Sequence, residues 1–231
     1  MTTVGAAIPV CNGAAYLGDT LRSVLGQSVS LADVVIVDDG SSDGSAAVAS
    51  AFGPPVHVIR QPHLGVGPAR SRAVETVRGD VIVLLDADDL LTEVSIASRL
   101  RVLEQRPEVD LVFGYVRTFA EIGPNGPIAL DESRPAHLAA SMLVRRLAYE
   151  RVGGFRAGVR AEGLDWLLRA HELDLIHATV AEHVLWRRVH GANSSLGEQR
   201  PLQEFPRLLK ESLDRRRAAR RGQTSRRGIA H

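Results

Sequence analysis

Val81-Ile82-Val83-Leu84-Leu85 runs directly into Asp86-Ala87-Asp88-Asp89. Five aliphatic residues without a polar interruption predict a strand buried on both faces. Three carboxylates at the carboxyl end of such a strand repel one another unless a positive charge stands among them. Magnesium prefers octahedral oxygen ligation, with one or two carboxylates and the remaining positions filled by water and substrate phosphates. One reading is therefore a phosphate-bearing substrate held through a divalent cation. The other is an acidic turn capping a helix that begins near Thr92, since Asp is common in turns. The tetrad alone leaves both open.

The chain on either side weighs between them. Val4 to Pro9 predicts a short strand, broken by Pro9-Val10-Cys11-Asn12-Gly13. Leu17, Leu21, Val24 and Leu25 then recur at helical spacing, with Gly26 as a stop. Val34 to Val37 predicts a second buried strand, followed by Asp38-Asp39-Gly40-Ser41-Ser42-Asp43-Gly44 and a small Ala-rich helix. Val56 to Arg60 predicts a third strand, and Gly65-Val66-Gly67-Pro68 opens the next helix, where proline suits the first turn. Strand and helix alternating at this pitch predict a parallel sheet with right-handed crossovers. Ligands of such sheets bind outside the carboxyl ends of the strands. The polar clusters at Pro9 to Asn12, Asp38 to Ser42 and Asp86 to Asp89 all fall on that edge, which argues against three unrelated turns.

The second half is less regular. Glu93 to Gln105 predicts a helix and Asp110 to Val116 a strand. Thr118 to Pro135, rich in Pro, Gly and Asn, reads as a long mobile loop able to order over a bound ligand. Leu138 to Val144 predicts a strand, and a short helix follows to Val152. Glu162 to His171 looks helical, and 176–180 and 183–189 look like two extended segments. From Leu202 onward, Leu202, Phe205, Leu209 and Leu213 mark one helix face. Arg215 to Arg227 is Arg-rich. It is either a solvated helix end with a disordered tail or a patch for an acidic partner or an anionic membrane surface. The near-absence of aromatic residues there argues against deep insertion into a membrane.

The 231 residues, 45% of them apolar, suffice for one domain with a large core. A net charge of +1 gives no bulk electrostatic reason to expect either nucleic acid or a membrane. Cys11 is the single cysteine, so no internal disulfide forms and a cysteine-only zinc site is excluded. With no basic segment leading an apolar stretch at the start, no signal peptide is expected, and the reading is cytoplasmic.

The motifs taken as an ordered series resemble the family 2 inverting glycosyltransferases, which have the nucleotide-sugar-binding GT-A fold. The series comprises Ala7 to Gly13, Leu21 to Ser28, Val35 to Asp43, Gly65 to Ser71, Leu85 to Asp89, Val152 to Phe155, Glu162 to Arg169, and Arg188-Val189-His190-Gly191-Ala192-Asn193-Ser194. The resemblance implies an α/β fold with a Rossmann-like, mostly parallel sheet flanked by helices and a smaller mixed acceptor-side portion. It implies a domain over 1–200, with a nucleotide-sugar half at 1–105 and an acceptor half at 106–200, then a C-terminal helix and basic tail at 201–231.

Carried over by position, Pro9, Cys11 and Asp39 would line the base and ribose pocket, with Asn12 in the same loop and Asp39 accepting from the pyrimidine. Arg70 would stand near the nucleotide. Asp86 and Ala87 belong to the DxD motif, Asp86 facing the ribose or metal-bound water. Asp88 would ligate Mn2+ or Mg2+, and His190 would approach the diphosphate or the metal. The chain departs from the family at Cys11, where Tyr is frequent, and at His63 and Ser71, where Asn is frequent. Gly163 replaces the Asp that usually serves as catalytic base. Glu162 and Asp165 remain, three residues apart and so on one helix face. Asp165 keeps the family-like register and is favoured slightly as the base. Glu162 reads either as the base or as a carboxylate complementing the helix dipole. The implied activity is metal-dependent, inverting transfer of a sugar from a UDP-sugar to a saccharide, lipid, peptide or natural-product acceptor. The alternative is a nucleotide-sugar-binding module without transferase activity. No G-x-G-x-x-G follows the first strand, which disfavours a dinucleotide oxidoreductase.

Overall fold

The computed structural model describes residues 2–191 and 204–227. Its first half follows the expected alternation. Strands β1 (Val4–Val10), β2 (Asp33–Asp39), β3 (Val56–Gln61) and β4 (Val81–Leu84) are parallel, in spatial order β3-β2-β1-β4. Helices α1 (Ala14–Leu25), α2 (Ser45–Ser50) and α3 (Val66–Thr76) make the crossovers. The uninterrupted apolar runs arise because both faces of the sheet are covered. Ala6, Ile8, Val34, Ile36, Val81 and Val83 pack into one core with Leu17, Leu21 and Val24 of α1. Their neighbours Ala7, Val35, Val37, Ile82 and Leu84 point the other way, into a second core with Ala69, Ala73 and Val74 of α3. Successive strand side chains alternate between faces, so each face receives its own set. Burying Leu17 and Leu21 completely contributes about 1.5–3 kcal/mol for each side chain.

Beyond β4 the sheet becomes mixed. A short β5 (Leu90–Leu91) follows the acidic tetrad, then helix α4 (Ser95–Gln105) and the long strand β6 (Leu111–Gly123). The order continues β4-β9-β6-β10-β5, with β9 (Leu143–Arg145) antiparallel to both β4 and β6, and β10 (His177–Arg188) parallel to β6. Helices α5 (Arg146–Val152) and α6 (Glu162–Glu172) cover the face shared with α3. Arg99 of α4 is fully buried and pins that helix to the 3-10 turn at Ala139–Ser141. Its Nη1 donates to Ser141 O (2.6 Å), and its Nε and Nη2 donate to Ser95 O and Oγ (2.9 and 2.7 Å). Burial, with no carboxylate partner among the described residues, pushes Arg99 down to about 9, so it stays cationic at neutral pH.

Three expectations are corrected. Thr118 to Pro135 is not a long loop. Strand β6 continues to Gly123, reverses, and pairs with β7 (Gly126–Ala129), and β8 (Arg134–Ala136) pairs with an earlier part of β6. Asn125-Gly126 is a hairpin dipeptide, with Gly126 at φ 106°. Pro127 and Pro135 read as strand breakers, yet proline is tolerated on edge strands. The predicted strand at Leu138 to Val144 is instead the 3-10 turn followed by the three residues of β9. The two extended segments near the end of the domain are one strand, β10, with register irregularities between Thr179 and Leu185. Helix α7 (Phe205–Arg227) includes the Arg-rich stretch, and it turns Leu208 and Ser212 inward. Phe205, Leu209 and Leu213, expected on one helix face, are exposed. Leu202 lies outside the described residues. Among the described residues, no helix is long and apolar enough to cross a membrane.

Candidate active site

Parallel pairing brings the carboxyl ends of β1, β2 and β4 to one edge, and with them the three polar clusters. Pro9 is buried opposite Val37 at the end of β1. Asn12 takes a left-handed conformation (φ 53°), which Asn tolerates better than most residues. Its N–H donates to Ser41 Oγ (2.9 Å), and its Oδ1 accepts from Ser42 N (2.9 Å). The loops after β1 and β2 are thereby tied together. Cys11 projects from this turn and is exposed, with Sγ 3.6 Å from His63 Nδ1. Burial of part of the side chain and the nearby carboxylates of Asp39, Asp38 and Asp43 push its thiol up, so it remains protonated.

Asp39 holds the loop that leads into α3. Its carboxylate accepts from Gln61 Nε2 (2.7 Å), Leu64 N (2.9 Å) and Gly65 N (2.8 Å), and His63 Nδ1 lies 3.0 Å from Oδ2. A carboxylate offers about four acceptor positions, and the three N–H donors occupy most of them.

The acidic tetrad is fixed from several sides. Thr20 of α1 donates to Ala87 O (2.8 Å), Arg188 Nε donates to Asp88 O (2.9 Å), and Arg188 N donates to Asp89 Oδ1 (2.8 Å). Asp89 is thus a buried anchor for the end of β10, not an open ligand. Asp86 is paired with Arg70, and the same guanidinium reaches Glu162 at the start of α6. Arg70 is almost fully buried, between two carboxylates and against the Phe155 ring (5.4 Å). Burial pushes the Glu162 carboxyl up, with Arg70 pulling against it and Asp86 adding to the rise.

Asp88 Oδ2 lies 3.0 Å from His190 Nε2, and the His190 ring packs against Tyr16 (4.4 Å between centroids). Burial and the Asp86 charge push Asp88 up, and burial with both neighbouring carboxylates pushes Asp89 well up. A divalent cation would reverse that direction; the carboxylate suits Mg2+ or Mn2+, and imidazole is a common ligand of softer divalent metals. Among the described residues no three such side chains converge on one point, so water and substrate phosphate would have to complete the shell, as magnesium sites commonly allow. Asp86, expected to face the ribose or metal-bound water, is engaged by Arg70.

Glu162 and Asp165 do not share an environment. Asp165 is fully buried, with Oδ1 2.6 Å from Arg156 Nη2 and Oδ2 3.0 Å from Arg169 Nε. Asp165, the expected base, is thus enclosed by two guanidiniums and the core. Glu162 alone of the pair borders the acidic edge. Gly163 has a packing reason. A Cβ there would stand 3.0 Å from Ala139 Cβ, so α6 lies against the 3-10 turn at a distance that favours glycine. Ser71 is also structural. Its Oγ accepts from Phe155 N (2.8 Å) and ties α3 to the turn before α6.

The family model for glycosyl transferase family 2 matches residues 6–161. This chain belongs to that family. The glycosyltransferase GlyG of Streptococcus pneumoniae is 22% identical over 194 residues, covering 82% of this chain and 60% of GlyG. An uncharacterized glycosyltransferase of Rickettsia typhi, RT0329, is 27% identical over 109 residues, 47% of this chain and 34% of its own length. Staphylococcus aureus TarS 1–349 in complex with UDP-GlcNAc superposes with a TM-score of 0.70 at 15% identity, covering 84% of this chain and 61% of TarS 1–349. The mannosyltransferase PcManGT of Pyrobaculum calidifontis, in complex with GDP-Man and Mn2+, gives 0.65 at 19% identity over 83% of this chain and 58% of its own. The chain spans about 60% of the length of GlyG and of TarS 1–349.

The fold of this family 2 member is therefore GT-A, with helices on both faces of the mixed sheet. Arg188 is the residue that sequence reasoning undervalued. Besides its two bonds to the tetrad it pairs with Asp19 (3.3 Å) and lies over the rings of Tyr16 (4.9 Å) and Phe119 (4.5 Å). An arginine at the end of a predicted strand carries no signal of contacts about a hundred residues away in sequence. The motif residues Ala192-Asn193-Ser194 lie outside the described residues.

Proposed function

We propose that this chain transfers a sugar from a nucleotide-sugar, with UDP-sugar as the donor class, to an acceptor hydroxyl with inversion at the anomeric carbon. The observation that carries the reading is Arg70, which joins Asp86 at the donor edge to Glu162 at the start of α6. That bridge sets a carboxylate beside the edge at which nucleotide-sugars bind in this fold class. TarS is known in complex with UDP-GlcNAc and PcManGT with GDP-Man. Pro9, Cys11, Asn12, Asp39 and Ala87 form the turn region for the nucleoside. Asp88 and His190 would hold Mg2+ or Mn2+, which when bound supplies positive charge to the leaving diphosphate.

Glu162 acts as the general base. Its raised proton affinity moves it toward the operating pH, where general bases work best. The acceptor oxygen attacks the anomeric carbon from the face opposite the diphosphate and its proton passes to Glu162. The bond from that carbon to the phosphate oxygen breaks, and its electron pair leaves with the nucleoside diphosphate. A single displacement of this kind needs no covalent enzyme intermediate. Arg70 fixes the Glu162 carboxylate through a charge-assisted hydrogen bond.

A thermal-shift and hydrolysis screen of UDP- and GDP-sugars, with manganese and with magnesium, tests the proposal. It predicts that one UDP-sugar gives both the largest shift and measurable hydrolysis. A GDP-sugar giving the largest shift would overturn the donor class. Tight binding with neither hydrolysis nor transfer to any saccharide, lipid, peptide or natural-product acceptor would leave a nucleotide-sugar-binding module.

A further inference from the structure

Helix α7 is attached through one narrow side. Leu208 and Ser212 are 1% and 4% exposed. Arg215 forms a two-point pair with Glu172 of α6 (2.8 Å each), and Arg156 donates to Glu211 (3.0 Å). Glu204, just before the helix, accepts from the backbone N–H groups of Arg160 and Ala161 (2.9 and 3.1 Å). These are the residues immediately ahead of Glu162, so the amino end of α7 is fixed beside the acceptor-side carboxylate.

The rest of α7 faces outward. Phe205, Leu209 and Leu213 are 43%, 41% and 44% exposed. They recur every four residues and form one stripe, about 12 Å long at 1.5 Å per residue. Single exposed apolar residues are ordinary, but these three are aligned. Arg216, three residues after Leu213, continues the stripe. Lys210 and Arg217 are exposed beside it, against one exposed carboxylate, Asp214. Seven arginines fall between Arg215 and Arg227, and no Asp or Glu follows Asp214 in the sequence.

We propose that this side of α7 docks the protein on an anionic phospholipid bilayer, holding the Glu162 edge next to the membrane surface. A row of apolar side chains among diffuse positive charges matches a surface that offers both acyl chains and phosphate. Basic side chains near such a surface are attracted over about a Debye length, and a helix with no Trp or Tyr sits shallowly. An acidic protein partner would satisfy the arginines and leave the stripe without a counterpart. The docking is independent of which residue is the base. Its consequence, that the acceptor is carried at the membrane surface, rests on the reading of Glu162.

The experiment is co-sedimentation of the full chain with phosphatidylcholine vesicles with and without phosphatidylglycerol, at low and high salt. The chain is expected to partition onto the phosphatidylglycerol vesicles and to be released by salt. Arg216→Gln with Arg217→Gln lowers the partition coefficient about thirtyfold, which corresponds to two contributions of about 1 kcal/mol. Leu209→Ser with Leu213→Ser lowers it as well. Both double variants keep the wild-type melting temperature and donor hydrolysis, since these side chains lie outside the site and the core. Equal partition onto pure phosphatidylcholine, or wild-type partition by either double variant, would overturn the proposal. So would absence of vesicle binding together with capture by a poly-glutamate peptide, which would assign the face to an acidic protein. Vesicle binding in a chain shown to transfer no sugar would support the docking and refute the transferase reading alone.

Discussion

Glu162→Gln and Asp165→Asn are chemically the same change, three residues apart on one helix, and the structure predicts opposite consequences. Asp165 stands between Arg156 and Arg169 with no exposure. Removing one partner of a buried ion pair costs about 3–5 kcal/mol, because the remaining charge is uncompensated. Arg156 keeps Glu211, and Arg169 keeps the carbonyls of Val152 and Gly154, so the lower end, about 3 kcal/mol, is expected. For a chain of this length each kcal/mol moves the melting temperature by about 2–4 °C. Asp165→Asn should therefore melt about 6–12 °C lower, while turnover per folded molecule stays near wild type.

Glu162→Gln keeps an oxygen for Arg70 to donate to, and Arg70 keeps Asp86, so its melting temperature should change far less. Its turnover should fall about a hundredfold to ten-thousandfold, a loss of roughly 3–5 kcal/mol at about 1.4 kcal/mol per tenfold. Nucleotide affinity should be retained, since the base acts on the acceptor. Calorimetry, single-turnover transfer and UDP titration on both variants make the comparison. If Asp165→Asn loses turnover at unchanged melting temperature while Glu162→Gln remains active, the argument from burial and pairing is wrong.

Three further outcomes are expected. UDP with manganese should raise the melting temperature more than UDP with chelator, by the shift that follows from about 2.7 kcal/mol at a hundred times Kd. Asp88→Asn should remove that difference, and equal shifts in both conditions would refute a metal site. The acid limb of kcat should lie above the ordinary Glu value of 4.5, because burial pushes Glu162 up, and the limb should vanish in Glu162→Gln. The same upward shift means that the native state takes up the proton more readily than the unfolded chain. The stability owed to this group therefore rises as pH falls through the window, and pH-dependent unfolding of the two proteins checks the sign. Gly163→Asp should not raise turnover and should destabilise the fold by about 1–3 kcal/mol, the usual overpacking cost, since its Cβ meets Ala139. A more active Gly163→Asp chain of unchanged stability would contradict that.

The parallel half of the sheet was readable because its signals are local. Val34 to Val37 and Val81 to Leu85 are apolar without interruption, and only a strand covered on both faces needs that pattern. Carboxyl ends of parallel strands share an edge by topology, so Pro9, Asn12, Asp39, Asp86 and Asp88 could be placed together before any coordinate. The hairpin at 118–135 was legible in principle, through Asn125-Gly126, but its prolines outweighed that signal. The inward side of α7 was not legible. Leu209 and Ser212 both lie on plausible faces, and ion pairs from Arg215 to Glu172 and from Arg156 to Glu211 decide which one turns in.

Composition, periodicity and motif order by themselves determined the fold class, the family resemblance and the edge on which the polar clusters gather. They did not separate Glu162 from Asp165, explain Gly163, or reveal Arg188 and Arg99. Each of those depends on what a side chain meets from a segment far away in sequence: Arg70 for Glu162, Arg156 for Asp165, Ala139 for Gly163, the tetrad for Arg188 and Ser141 for Arg99. Helical spacing specifies which residues share a face. Only tertiary packing specifies which charge or wall that face meets, and in a site made of buried carboxylates and guanidiniums that choice sets both proton affinity and access to substrate.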